Sequence, residues 1–371
     1  MTSDESRKRS YSVRLGRLAS AIRESGLDGI VLVPGPNLRY YTGVNSLLLE
    51  RPFLFLLPKE GQSHLLAPKL ESGPYRRGPI QMMIHDWTDS EGPSRTFEEL
   101  TQHVSIKGKW GLEGRVPFRF VHILLKYAHP DLEDAEPLLG RIRETKDPEE
   151  MRYLQQAALI LCRSLLRFPN MIRPGMTELQ LARELMEEIY SNGAEHVDEV
   201  LIQSGRMAAD PHHLPSTRKL RRKESIVVDA TCQFAGYYAD ITRTFILGRD
   251  ENFDSIYLSV LEAQEAALST SKAGETVGAV DYAARSRLEQ NQLGEFFIHR
   301  TGHGLGLEVH ELPYIVQDGR ELLEPRMVFT VEPSVYFPTK MGVRIEDDVL
   351  VTDSGRKVLT RSLPKGLGWW R

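Results

Sequence analysis

Apolar and polar positions alternate along the chain in two distinct periods. Leu15, Leu18 and Ile22 recur at helical spacing, and Gly26 stands where a C-cap belongs, so residues 11–26 read as an amphipathic helix. GIVLVP (29–34) and FLFLLP (53–58) are short apolar runs closed by turn residues, the signature of buried strands. HLLA (64–67), IQMMIH (80–85) and WGLE (110–113) are further strand candidates, and 117–128 fits a helix. This alternation predicts a small α/β domain over residues 1–140. A break follows in TKDPEEMRYL: Asp147 suits an N-cap, Pro148 the first helical position and Glu150 a capping box. A long helix is expected from there to about Phe168, and a second from Thr177 with Gln180 as its capping partner.

Beyond these helices the period changes again. SIVVDA (225–230) and the alternating GYYADITRTFIL, centred on 237–247, predict strands. Helical patterns return at 252–270 and 277–292. RMVFTVEP (326–333) and GVRIEDDVLVT (342–352) predict two late strands. Residues 141–371 therefore read as a second domain, with helices packed on a largely antiparallel sheet.

Several polar residues do not fit a plain core. Period two puts Asp240, Thr242 and Thr244 on one strand face, Val328, Thr330 and Glu332 on another, and Arg344 with Glu346 on a third. Asp229 ends the apolar run IVV, and Glu332 ends VFTV. A lone carboxylate in such a place is usually a salt bridge or a surface turn. Several together, each at or within an apolar strand, carry a large desolvation cost that one cation cluster would neutralise. In TGHGLGLEVHELP (301–313), glycines flank His303, and His310 follows seven residues later, outside the i,i+4 metal register. A single histidine is more often a hydrogen-bonded core or surface group. Its glycine-rich setting and the second histidine shift that balance, because glycine lets backbone approach a ligand closely. Oxygen ligands with one imidazole suit Mn²⁺, Fe²⁺, Co²⁺ or Zn²⁺ with bound water.

DATCQFAGYYADITRTF, TGHGLGLEVHELP, TVEP and VRIEDD, in this order and spacing, resemble the pita-bread metallopeptidases, which include prolidase, aminopeptidase P and methionine aminopeptidase. LDGIVLVPGPNLRYYTG and RETKDPEEMRYLQQA resemble the N-terminal domain and linker shared by prolidase, aminopeptidase P and creatinase, so the resemblance spans nearly the whole chain. It implies a creatinase-like α/β N-terminal domain followed by an α+β pita-bread catalytic domain. It also implies two divalent metal ions per chain (Mn, Co, Zn or Fe). Asp229 would bind one ion, Asp240 and Glu346 would bridge both, and His303 and Glu332 would complete the second. A water activated between the ions would be the nucleophile. Glu332 would shuttle its proton to the leaving nitrogen, and His310 would stabilise the tetrahedral intermediate. In SGRMAADPHHLP, His212 matches the family's substrate-binding histidine, with His213 beside it. The activity implied is hydrolysis of the Xaa-Pro bond in dipeptides or short peptides, prolidase-like. The alternatives are an aminopeptidase P acting on longer peptides, a metal-free creatinase-like hydrolase, or a catalytically inactive binding module. The last two would have lost ligands, and all of those named are present.

Three positions depart from the pattern. Thr231 stands where the family has Gly, and Ser334 replaces the Gly of EPG. Tyr314 stands where many prolidases carry an Arg that holds the free carboxylate of a dipeptide; Arg320 is the nearby basic residue that would have to substitute.

The remaining features narrow the setting. Net charge −4 gives no global pull toward nucleic acid or an anionic membrane. No apolar run approaches the roughly 18 residues of a spanning helix. Met1 to Ser10 is polar and charged, without the apolar segment of a secretory leader. With only Cys162 and Cys232 there is no disulfide framework, which fits a reducing, cytoplasmic setting. RKLRRK (218–223) reads as a solvated turn, and Trp369 and Trp370 as packing against the domain or a partner subunit. NLRYYTG fits strand and turn. The resemblance further implies a homodimer, with that segment near the partner's active site.

Overall fold

The computed structural model describes residues 3–370, with side chains from residue 8 onward, so the reading of Met1 to Ser10 rests partly on residues outside it. The chain divides into two compact units, one ending at Ile142 and the other beginning at Arg143.

The first unit is built on a mixed sheet. Its strands are β1 (Gly29–Leu32), β2 (Leu54–Pro58), β3 (His64–Pro68), β4 (Met83–Trp87), β5 (Lys109–Leu112) and β6 (Asp131–Asp134), in the order β4-β3-β2-β1-β5-β6. β1 pairs antiparallel with β2 and parallel with β5. The apolar runs of β1 and β2 are almost wholly buried, as continuous hydrophobic strands must be. The first helix is Ser3–Ser25, and Gly26 follows at φ +77, a left-handed C-terminal stop that favours glycine. NLRYYTG is not strand and turn. Pro36–Thr42 is helical, started by Pro36 and ended by Gly43 in the left-handed conformation. Its residues Asn37, Leu38, Tyr40 and Tyr41 are buried within the unit. β4 begins at Met83, three residues later than the IQMMIH run predicts, where pairing with His64 starts.

The second unit holds three antiparallel sheets. β7 (Val200–Ser204), β8 (Ser225–Phe234) and β9 (Tyr237–Ile246) form one. β10 (Gly302–Gly304), β11 (Glu311–Ile315), β12 (Val328–Val331), β13 (Ser334–Phe337), β14 (Met341–Arg344), β15 (Asp347–Thr352) and β16 (Gly355–Val358) supply the others. They are ordered β11-β10-β12-β15-β16 and β13-β14. Helices Pro148–Arg167 and Glu178–Ser191 pack on β8 and β9 through Ala157, Leu161, Leu181, Leu185, Ile226 and Ile241. Helices Glu251–Thr270 and Val277–Gln290 pack on the other sheets through Val260, Ala267, Val280, Phe329, Val343 and Val349. Both predicted capping boxes are present, at Asp147 with Glu150 and at Thr177 with Gln180. Trp369 and Trp370 pack within this unit, with ring centroids 5.6 and 5.4 Å from Phe245. RKLRRK forms the turn into β8: Leu220 is buried, and Arg218 pairs with Glu224 at 2.6 Å.

The late strand predicted over 342–352 is two strands. The chain leaves β14 after Arg344, the Glu346 amide donates to the Thr242 carbonyl of β9 at 3.1 Å, and β15 starts at Asp347. That crossing stitches the sheets together at the position of the candidate chemistry.

Candidate metal and catalytic site

β8 and β9 pair antiparallel with Asp229 opposite Thr242 and Thr231 opposite Asp240. Ten-residue ladders over an apolar core fix which side chains face inward, and Asp240 is thereby forced into the interior. From the other sheets, His303 projects from β10, Glu332 follows β12, and Glu346 occupies the crossing between β14 and β15. Ligand atoms of Asp240, His303 and Glu346 all lie within 4.8 Å of one another. Glu332 Oε1 is 3.4 Å from His303 Nε2, and Asp240 Oδ2 is 3.9 Å from the same nitrogen. Asp229 is turned to Arg344 in a short ion pair. Arg344 Nε also donates to Thr242 Oγ1 at 3.1 Å, and that hydroxyl donates to Glu346 Oε2 at 2.7 Å. Arg344 and Glu346 therefore converge on Thr242 despite the break between their strands.

The glycines around His303 serve close packing rather than unusual torsions. A Cβ on Gly302 would sit 1.8 Å from the Thr330 carbonyl oxygen, and one on Gly304 would sit 2.1 Å from that of Leu312. Their absence lets β10 lie between β11 and β12 with His303 pointing inward. The His303 amide donates to Thr330 Oγ1 at 3.2 Å, and ring Nδ1 lies 3.1 Å from the Gly304 carbonyl. A proton on Nδ1 leaves Nε2 as a free lone pair facing the carboxylates, the arrangement of a metal-ligating imidazole.

Electrostatics support the same reading. Burial, then the charges of Glu346 and Asp229, push the Asp240 carboxyl well above its usual range. Burial, with Glu332 and Asp229, does the same to Glu346. Glu332 is pushed up to about 7, by burial first, against the opposing pull of Arg344. Burial and His310 hold His303 down at about 3, so its ring is neutral. Among the described residues Asp240 Oδ1 is buried without a hydrogen-bond partner. Like-charged, desolvated carboxylates around a neutral imidazole, one oxygen unsatisfied, are the donor set that divalent cations fit.

His310 lies beside this cluster, its ring 4.2 Å from that of His303, edge to face. His212 is exposed, and its charge acts on His310. His213 is a structural residue instead, with Nε2 3.3 Å from the buried Glu178. Ser334 Oγ is 2.5 Å from His299 Nε2, so this departure from glycine gains a side-chain contact. Thr231 Oγ1 is buried with no hydrogen-bond partner among the described residues. Sequence patterning did not single out Tyr336, whose hydroxyl accepts from Arg344 Nη1 at 2.7 Å and is pushed above its usual range by burial. It also left Arg344 without a role. The signal was available in spacing, since Tyr336 and Arg344 follow Glu332 closely on paired strands β13 and β14, with Glu346 just beyond.

The model of metallopeptidase family M24 matches residues 152–353, and that of the creatinase/prolidase N-terminal domain matches residues 14–145. The chain belongs to metallopeptidase family M24. It is a hydrolase with the pita-bread catalytic fold. A probable dipeptidase PepE of Mycobacterium tuberculosis is 34% identical over 354 residues, 93% of each chain. A prolidase structure from Thermococcus sibiricus superposes with TM-score 0.89 at 34% identity, covering 94% of this chain and 96% of that one. An Xaa-Pro dipeptidase structure from Bacillus anthracis gives TM-score 0.88 at 29% identity, covering 96% and 99%.

Proposed function

We propose that this M24 protein hydrolyses the Xaa-Pro bond of dipeptides, using two divalent cations held by Asp229, Asp240, His303, Glu332 and Glu346. The observation that carries the reading is the convergence of Asp240, His303 and Glu346, with Glu332 at 3.4 Å from His303, on one desolvated centre. Dipeptidase, prolidase and Xaa-Pro dipeptidase are the descriptions of its relatives. Bound cations would supply an activated water and polarise the scissile carbonyl. Glu332, with Oε1 3.4 Å from His303 Nε2 at the edge of the cluster, accepts the proton and returns it to the leaving nitrogen. His310 donates a hydrogen bond to the oxygen that gains charge. His212, exposed beside it, contacts the substrate. Tyr314 in place of an arginine favours a second reading, an aminopeptidase P that accepts longer peptides. The buried free thiols Cys162 and Cys232 fit a cytoplasmic setting, and among the described residues no helix is long and apolar enough to cross a membrane.

The test is cleavage of Gly-Pro, Leu-Pro and a Leu-Pro-Xaa tripeptide, with and without added Mn²⁺ or Co²⁺. Metal-stimulated cleavage favouring the dipeptides is expected. Preference for the tripeptide would install the second reading, and no cleavage of any proline-second peptide would remove both.

A further inference from the structure

A dipeptide carries its charged carboxylate one residue beyond the cut, and Tyr314 has no charge to meet it. Arg320 lies five residues beyond the end of β11. It is exposed, and the adjoining Gly319 carbonyl accepts from the Gly278 amide at the start of helix Val277–Gln290. A different cation stands there. β10 and β11 pair with His303 opposite Tyr314 and Gly302 opposite Ile315, and Arg300 lies just before β10. Its guanidinium carbon sits 4.3 Å from the centre of the Tyr314 ring.

Arg300 differs from the other sequestered arginines of this unit. Arg143 pairs with Glu308 at 2.8 Å, Arg243 with Asp347 at 2.8 Å, Arg285 with Asp281 at 2.9 Å, and Arg344 with Asp229. Among the described residues no carboxylate pairs with the half-buried Arg300. Its charge nevertheless reaches the reaction centre. After burial, Arg300 is the next cause that lowers His310, and it also acts on His303 and Glu332.

We propose that Arg300 receives the free carboxylate of the dipeptide, with the Tyr314 ring as the platform that orients it. The proposal rests on the Xaa-Pro reading. A guanidinium held against an aromatic face keeps its in-plane N–H groups free, and these match a carboxylate two to two. Position 314 thus contributes the platform, and the charge comes from the neighbouring strand end. The pair would restore dipeptide selectivity in a chain without the usual arginine.

The experiment compares KM and kcat for Leu-Pro and Leu-Pro-amide, which lacks the terminal charge, in metal-loaded wild type, Arg300→Gln, Arg300→Lys and Arg300→Gln/Tyr314→Arg. Losing a charge-assisted pair in Arg300→Gln should raise KM for Leu-Pro on the order of 10–100-fold more than KM for the amide. Arg300→Lys should fall between, and the double variant should recover Leu-Pro. Damage to the fold would lower both substrates together, so the acid-to-amide ratio isolates the contact. An unchanged ratio in Arg300→Gln, with wild type cleaving both peptides, would overturn the carboxylate assignment alone. Wild type that cleaves neither would overturn the Xaa-Pro reading and this assignment with it.

Discussion

His310 stands 4.2 Å, ring to ring, from His303, yet the two imidazoles face different tasks. The His303 ring is buried among carboxylates, with Nδ1 against a backbone carbonyl. His310 is less enclosed, and its basicity is lowered by burial and by Arg300. A neutral donor outside the ligand set should contribute to the transition state and little to metal retention. His310→Ala is therefore expected to lower kcat by about 10²–10³ with metal content near that of wild type. Steady-state kinetics beside elemental analysis checks this: an unchanged kcat removes His310 from the mechanism, and parallel loss of metal makes it a ligand. The gathering of Asp240, His303, Glu332 and Glu346, with His310 beside them, was legible because each sits in a short motif within or next to a strand. Arg300 was not, because its place beside Tyr314 comes from the register of β10 and β11, and its lack of a paired carboxylate among the described residues is a matter of tertiary structure, neither of which a linear pattern displays.

β11 is anchored by a buried charge network. Glu311 meets Lys146 Nζ at 2.7 Å and is in a short ion pair with Arg143, both residues preceding helix Pro148–Arg167. This network fixes the strand that begins one residue after His310. Removing the carboxylate takes the ion-pair partner from buried Lys146 and one of two from Arg143, which keeps Glu308, so Glu311→Ala should cost about 3–5 kcal/mol in chemical denaturation. Burial pushes the Glu311 carboxyl up, but Arg143 and Lys146 outweigh it and hold it below its usual range. A carboxylate depressed in the folded state stabilises above its unfolded value, about 4.3, and loses that contribution as pH falls through the folded value. The stability gap between wild type and Glu311→Gln should therefore narrow below about pH 4. A gap independent of pH would mean that the ionised form does not carry the effect. The helices flanking this network were readable from Asp147 and Thr177, because caps are local signals. The break between β14 and β15 was not, because VRIEDD keeps period two through Arg344 and Glu346, and only the docking of Glu346 on β9 interrupts the ladder.

At the scale of the molecule, we expect a homodimer built partly through the first unit. Asn37, Tyr40 and Tyr41 are buried there and offer little surface. Support comes from large apolar side chains exposed on that unit, with Leu47 75%, Leu70 81% and Phe118 81% accessible. Light scattering at micromolar concentration should give twice the 42.2 kDa chain mass, and a fully active monomer would contradict it. The division into an α/β unit and a pita-bread unit was legible from the change of period near Asp147. The joining of separate sheets around one centre was not, since it depends on pairings far apart in sequence.

The central claim is a hydrolytic centre that needs two cations. We propose that Asp240 and Glu346 share these cations, since Arg344, the arginine buried beside the crowded carboxylates, is already paired with Asp229. The most direct measurement is metal content by elemental analysis of protein purified without chelator, paired with Leu-Pro cleavage before and after exhaustive chelation and on return of Mn²⁺ or Co²⁺. Two equivalents per chain are expected, with activity lost on chelation and restored by metal; Asp240→Asn should hold fewer and stay inactive. Full activity in the chelated, metal-free protein would contradict the account.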